Sequence, residues 1–357
     1  MDSRQGIKRI LSIGLIVFSG VLIFIAQMYL DSFQARVLNL AAIFVILGVS
    51  MNLVLGFTGM FSLGHAGFMC VGAYVSAVLT MSPASKELIY YMEPIISPLG
   101  QVHWPVLPAI LAAGLVAALF GFIIGFPALR LRDDYLAIAT LGFGEIIRII
   151  FTNTISITNG SLGLKNIPAI KSMWVYWGFA IGTIWILKQL INSSWGYAFK
   201  AIRDNEIAAE AMGIDIFKHK LMSFTIGAFF AGIAGALMGH LITSIDPTMF
   251  RFLFTFQILL IIVLGGLGSI TGSVIAAVVV TVMMEVLRFV EQPMDFFGVV
   301  IPGIPGMRMV IFSLLLLGVI LFYRQGLMGT REFNWNWVLD KLGVGRNRKE
   351  KGVRSDG

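Results

Sequence analysis

The chain has 357 residues, of which 57% are hydrophobic and only 13% charged, and its formal net charge is +7. Soluble domains carry roughly 25% charged residues, so this composition excludes a water-soluble fold and makes lipid the solvent. The cations sit at the termini and in short loops between apolar runs, a pattern that reports membrane sidedness rather than a nucleic-acid surface. The single cysteine, Cys70, lies in an apolar run, which rules out an internal disulfide and a CxxC metal or redox site.

A helix needs about 20 apolar residues to cross the hydrocarbon. In chain order that rule predicts spans at 10–30, 36–55, 64–81, 104–126, 135–152, 173–191, 222–242, 254–268, 270–290 and 308–323. The expectation is an all-α, polytopic transmembrane bundle of about ten spans, several of them discontinuous. The first run follows Arg4, Lys8 and Arg9; it is longer than a signal-peptide core and reads as a retained span. Basic clusters lie at 4–9, 130–132 and 200–220, and from Arg324 onward. Ten spans put all of them on one face, so both termini are expected to be cytoplasmic. One transmembrane domain is expected over 1–330, followed by a basic cytoplasmic tail over 331–357 that anchors around Trp335 and Trp337.

The first glycine-rich break contains Gly56, Gly59, Ser62, Gly64, His65 and Gly67. The second contains Gly265, Gly266 and Gly268 and shares the pattern L-G-x-x-G. Non-helical backbone survives at membrane depth only where protein or a watery cavity covers it, so paired breaks point to a translocation path. A helix N-terminus at such a break presents free N–H groups that suit a carboxylate. Plain close packing of helices at glycine is the competing reading. His65 reads as a satisfied polar contact, because no second ligand stands at metal-binding spacing.

Glu145 with Arg148, and Glu285 with Arg288, form E-x-x-R dyads inside apolar runs. Residues three apart on a helix share a face and can pair; intramembrane charges then either line a vestibule or anchor helices. Just beyond the first dyad, Asn159, Gly160 and Gly163 form a polar outer turn, either a contact for a docking protein or an ordinary turn. The longest polar stretch between spans, 193–222, should hold one short helix from Ala198 to Met212, stopped at Gly213. It either docks into a soluble partner or is a solvated connector. The chain lacks G-x-x-x-x-G-K-[ST], H-E-x-x-H and G-x-S-x-G, so no catalytic residue, metal or cofactor is assigned to it.

The segments GFTGMFSLGHAGFMCVGAYVSAVL, DYLAIATLGFGEIIRIIFTNT with TNGSLGL, GYAFKAIRDNEIAAEAMGIDIFKHKLMSF and VLGGLGSITGSVIAA occur in that order. Together the set resembles the LivM-type permease subunits of branched-chain amino acid ABC importers, over about 36–325. The resemblance implies a bacterial plasma-membrane importer with a second, LivH-like permease, two ATP-binding subunits (LivG- and LivF-like) and a solute-binding protein. ATP and magnesium would be used by those partners. It also implies that 193–222 is the element coupled to the ATPase, with Arg203, Glu206, Ala208, Ala209, Glu210 and Gly213 as its contact residues. Ala208, Ala209 and Gly213 fit the E-A-A-x-x-x-G pattern, but Ile207 stands where a glutamate is expected. Relatives often have glycine where this chain has Asn159. Two other readings stay open: a related permease for urea, a short amide or another small polar solute, and a gradient-driven transporter or channel.

Overall fold

The computed structural model describes residues 20–332 except 22, 92, 132, 292–293, 297–298, 302–305, 323–325 and 330–331. Most of the expected span 10–30 and nearly all of the tail from 331, with Trp335 and Trp337, lie outside the described residues. The described chain is a bundle of helices: α1 (Ser32–Asn52), α2 (His65–Thr80), α3 (Pro83–Ile89), α4 (Val106–Ala128), α5 (Asp133–Asn153), α6 (Met173–Ile191), α7 (Ser194–Asp204), α8 (Glu206–Ala211), α9 (Ile216–Ile242), α10 (Phe252–Gly265), α11 (Ile270–Val286) and α12 (Met307–Phe322). A small hairpin, β1 (Met294–Phe296) and β2 (Val299–Ile301), precedes α12.

Four stretches among the described residues are long and apolar enough to cross a membrane: Ser32–Phe57, Val106–Ala128, Tyr135–Asn153 and Ile216–Ile242. The pair α2 and α3, bent by 118°, makes a fifth if counted as one span. Helices α10 and α11 are apolar but shorter. The expected count of ten goes beyond these: it also needs α6, α12 and the run 10–30.

Helix α1 is central, packed against α6, α9, α10 and α11, while α9 packs along α2 and α4. In lipid, helices associate through close van der Waals packing, which small residues permit. A Cβ on Gly72 of α2 would come within 2.0 Å of the Gly232 carbonyl of α9, and one on Gly235 within 1.9 Å of the Met69 carbonyl. The backbones of α2 and α9 thus touch, which fixes where the chain between α1 and α2 must run.

The two ends of the bundle differ. One end gathers Arg130, Lys200, Arg203, Lys218 and Lys220, with Arg130 lying over the rings of Phe126 and Phe217. At the opposite end Leu164 pairs with Ile245, and buried His240 touches Ser76 Oγ through Nε2 and the Pro168 carbonyl through Nδ1, each at 2.8 Å. Lys86 of α3 is buried there and donates to the carbonyls of Leu99 and Val102 at 2.7 and 2.6 Å, pinning the loop after α3.

Candidate functional site

At the basic end α1 runs into a π-helical turn, Leu53–Phe57, a local widening that recurs at functional sites. The chain then leaves the helix. Thr58 Oγ1 donates to the Leu53 carbonyl at 2.9 Å and lies 2.7 Å from Ser223 Oγ of α9. Gly59 takes a φ of +80°, and residues 59–64 run without helical structure back toward α2. Neighbouring side chains satisfy the exposed backbone: Thr140 of α5 accepts from Leu63 N–H at 3.0 Å, and Thr255 of α10 accepts from Ala66 N–H at 3.2 Å. Protein cover of this kind is what non-helical backbone needs at membrane depth. His65 is buried, with Nε2 3.3 Å from Ser50 Oγ, the polar contact expected of it. Gly67 sits so close to α5 that a Cβ would stand 2.9 Å from Gly144 Cα.

The second break separates α10 from α11. Gly266 and Gly268 have φ of +111° and +82°, which glycine alone adopts without strain. Ser269 caps α11 by accepting from Gly272 N–H at 3.1 Å. Asn52, the last residue of α1, ties the two breaks together. Its Nδ2 donates to the Ser269 carbonyl at 2.9 Å and to Ser273 Oγ at 2.7 Å, while its Oδ1 accepts from Gly268 N–H at 3.0 Å. The approach is tight: a Cβ on Gly56 would meet Asn52 Oδ1 at 1.8 Å and Gly268 N at 2.4 Å.

Arg203, from the polar loop, completes this junction. Its Nη1 donates to the Gly56 carbonyl at 3.1 Å. Its Nε and Nη2 both reach Asp204 Oδ1, at 3.0 and 2.8 Å. The side chain also fills the space beside Gly59 and Gly268: a Cβ on Gly268 would come within 2.9 Å of Arg203 Nη1. One side chain of the loop therefore touches both breaks.

The loop itself departs from the expected single helix. It forms two, α7 and α8, because Asn205 is extended, with φ −162° and ψ 108°, and its side chain accepts from Ala208 N–H at 3.0 Å to start α8. Asparagine competes well as a helix cap, and here that preference defeats the alanine-rich propensity. Gly213 ends α8 at φ +83°, with Ile214 N–H bonded back to the Ala209 carbonyl at 3.1 Å, the glycine stop read from the sequence. Helix α9 begins at Ile216, so the loop is shorter than 193–222 and Lys218 and Lys220 belong to the first turns of α9. Glu206 pairs with Lys220. Ala209 is buried against the loop, whereas Ala208 and Glu210 are exposed. Ile207 and Met212, both more than 80% exposed, put two large apolar side chains on its outer face.

Both dyads form as ion pairs. Arg148 makes two bonds to Glu145, Nη2–Oε1 at 2.8 Å and Nε–Oε2 at 3.0 Å. Arg288 makes one to Glu285, at 3.0 Å. Among the described residues neither pair is hydrogen-bonded to the junction at the basic end. Replacing Arg148 alone by leucine is expected to lower the detergent melting temperature more than replacing Glu145 by methionine and Arg148 by leucine together, since a lone half-buried charge costs more than none. Equal melting temperatures for the two variants would remove the ion-pair argument.

The turn at 159–163 is closed rather than open. Asn159 and Gly160 both take left-handed conformations, with φ of 58° and 59°, which asparagine tolerates better than other side-chain-bearing residues. That explains how Asn159 fills a position where glycine was expected. Its Nδ2 donates to the Gly163 carbonyl at 2.9 Å. A Cβ on Gly163 would stand 2.1 Å from the Ile245 carbonyl, so the turn is packed against the start of the next loop.

Residues 33–322 match the family model described as the branched-chain amino acid transport system / permease component. The chain belongs to this family. It is 35% identical over 295 residues to the high-affinity branched-chain amino acid transport system permease protein LivM of Escherichia coli (strain K12), covering 73% of this chain and 65% of that protein. It thus spans about two-thirds of that relative's length. The probable LivM permease of Methanocaldococcus jannaschii is 24% identical over 284 residues, 69% of this chain and 80% of that one. The LivH permease of Salmonella typhimurium is 24% identical over 264 residues, 68% of this chain and 81% of that one. No solved structure matches.

In this family member the residues singled out from the sequence fall into three places. Gly56, Gly59, Gly266, Gly268 and Arg203 meet at the junction, with Ser62, Gly64, His65, Gly67 and Gly265 on the segments that lead into it. Ala208, Glu210 and Gly213 are exposed on the loop, where Ala209 is buried and Glu206 is held to α9. The dyads and the turn at 159–163 stand apart. Sequence reasoning missed Asn52, the polar hub of the junction; an asparagine at the end of an otherwise apolar run was the available signal. It also missed Glu332, which accepts from Ile270 N–H at 2.5 Å, from Thr271 N–H at 3.3 Å and from Thr271 Oγ1 at 2.7 Å. The N-terminus of α11 does suit a carboxylate, as expected, but the chain supplies its own.

Proposed function

We propose that the chain is the membrane-embedded permease subunit of a bacterial ATP-driven importer that carries branched-chain amino acids. In this reading it sits in the plasma membrane with both termini cytoplasmic, and the basic end is the cytoplasmic end. It pairs with a second, LivH-like permease, is driven by two ATP-binding subunits resembling LivG and LivF, and receives cargo from a solute-binding protein outside. It performs no covalent chemistry and needs no cofactor of its own; ATP and magnesium act in the partner subunits.

The observation that carries this reading is the placement of Arg203. A force applied to α7 and α8 reaches both breaks through one guanidinium, because that group is bonded to Gly56 and packed against Gly268. The exposed Ile207 and Met212 suit burial in a groove on an ATP-binding partner, with Glu210 at the rim. Movement of the loop on nucleotide binding then shifts the inner ends of α1 and α10 together. The central helices offer glycine, serine, threonine and apolar surface to the path, so cargo choice is left mainly to the binding protein.

The test is purification with the subunits encoded beside it, followed by ATPase measurement with loaded binding protein and a panel of leucine, isoleucine, valine, urea and short amides. Stimulation by the branched-chain amino acids is expected. Stimulation by urea or amides alone would reassign the cargo, and leucine uptake by the chain alone in ATP-free vesicles would overturn the importer reading.

A further inference from the structure

We infer that Glu332 is a positioning residue for transport, a carboxylate staple that holds the inner end of α11 against α10 across the second break. The inference rests on the import reading above. The chain that follows α12 returns to the junction as a turn, Gly326–Gly329. There Leu327 N–H donates to the Leu264 carbonyl at 2.7 Å and Met328 N–H to the Gly265 carbonyl at 3.2 Å. These are terminal carbonyls of α10, which have no partner within their own helix. Three residues on, Glu332 takes the first two N–H groups of α11 and the Thr271 hydroxyl. One short segment thus caps the end of one helix and the start of the next. The fit leaves no slack, since a Cβ on Gly266 would meet the Gly329 carbonyl at 2.4 Å.

The electrostatics favour this placement, because the N-terminus of a helix carries a partial positive charge and stabilises a carboxylate within its first turn. They also exclude a second occupant. A substrate carboxylate that approached the same N–H groups would have to displace Glu332. Asn52 holds the break from the α1 side and Arg203 from the loop side. Glu332 holds it from the side of α12. Rocking of α10 against α11 has to work against all three, and Glu332 alone of them is carried by neither the coupling loop nor a break.

Removing the carboxylate should free the inner end of α11 while leaving the ATPase contacts intact. In the assembled importer, Glu332→Ala is expected to keep ATP hydrolysis while the amino acid moved per ATP falls roughly threefold or more. Glu332→Asp is expected to recover part of that ratio. A role confined to folding would instead lower transport and hydrolysis together, in step with the amount of subunit in the membrane; that result, or an unchanged ratio, overturns the proposal. If Glu332→Ala is lost from the membrane, Thr271→Val decides, since it removes one of the three contacts and leaves the glutamate: a lowered ratio supports the staple and a wild-type ratio overturns it. A wild-type importer whose ATPase ignores loaded binding protein would count against the import reading instead, so the two failures are separable.

Discussion

Asn52→Leu is expected to destabilise the bundle markedly. Leucine matches asparagine closely in shape, so the substitution removes hydrogen bonds and little volume. It strips the acceptor from Gly268 N–H, one donor from the Ser269 carbonyl and one of the partners of Ser273 Oγ, all buried. A buried polar group left without its partner costs about 1–3 kcal/mol. Ser269 O and Ser273 Oγ keep a bond to each other, so most of the penalty falls on Gly268 N–H. The expected loss is therefore about 2–4 kcal/mol. A thermal unfolding series in detergent reads it directly. A melting temperature equal to wild type would mean that the breaks hold together without Asn52. Asn52→Asp separates acceptor from donor: it keeps the bond from Gly268 N–H and loses the two donated bonds, so it should fall below wild type as well.

The helical class, the approximate position of each described span and the two glycine-rich breaks are legible in the sequence because apolar length and glycine clusters are local signals. The stop at Gly213 is legible for the same reason. The dyads are legible because three-residue spacing on a helix determines contact without reference to the rest of the fold. What is not legible is whatever depends on which elements meet. Asn205 splits the loop into two helices by capping, a choice between two local preferences that residue type alone does not rank. The meeting of Gly56 with Gly268, more than 200 positions apart, follows from the packing of α1 on α11. The role of Glu332 needs the chain after α12 to fold back on α10, and nothing near residue 332 announces it. The expectation that a helix N-terminus at a break suits a carboxylate named no source, because a helix N-terminus does not say which acid arrives.

Arg203→Ala is expected to give a complex that assembles and hydrolyses ATP yet imports poorly. The guanidinium is a cross-link between an exposed loop and the junction beneath it, and it is not a buried structural charge: its side chain is 30% exposed and its pair with Asp204 is more exposed still. Exposed pairs contribute about 0–1 kcal/mol, so the folded subunit should survive the loss with a nearly unchanged melting temperature. Transmission should not survive it, because the bond to Gly56 and the packing against Gly268 are made by the same group. Arg203→Lys is the sharper variant. It keeps the charge, but an ammonium cannot reproduce the planar fork by which Asp204 orients one edge while the other reaches Gly56. If the positive charge is what matters, lysine restores import; if the fork is what matters, lysine behaves like alanine, and the fork is the expected outcome. The decisive measurement is amino acid imported per ATP hydrolysed by the assembled complex, set beside the melting temperature of the same preparation. A wild-type ratio in Arg203→Ala would show that force from the loop reaches the breaks by another route.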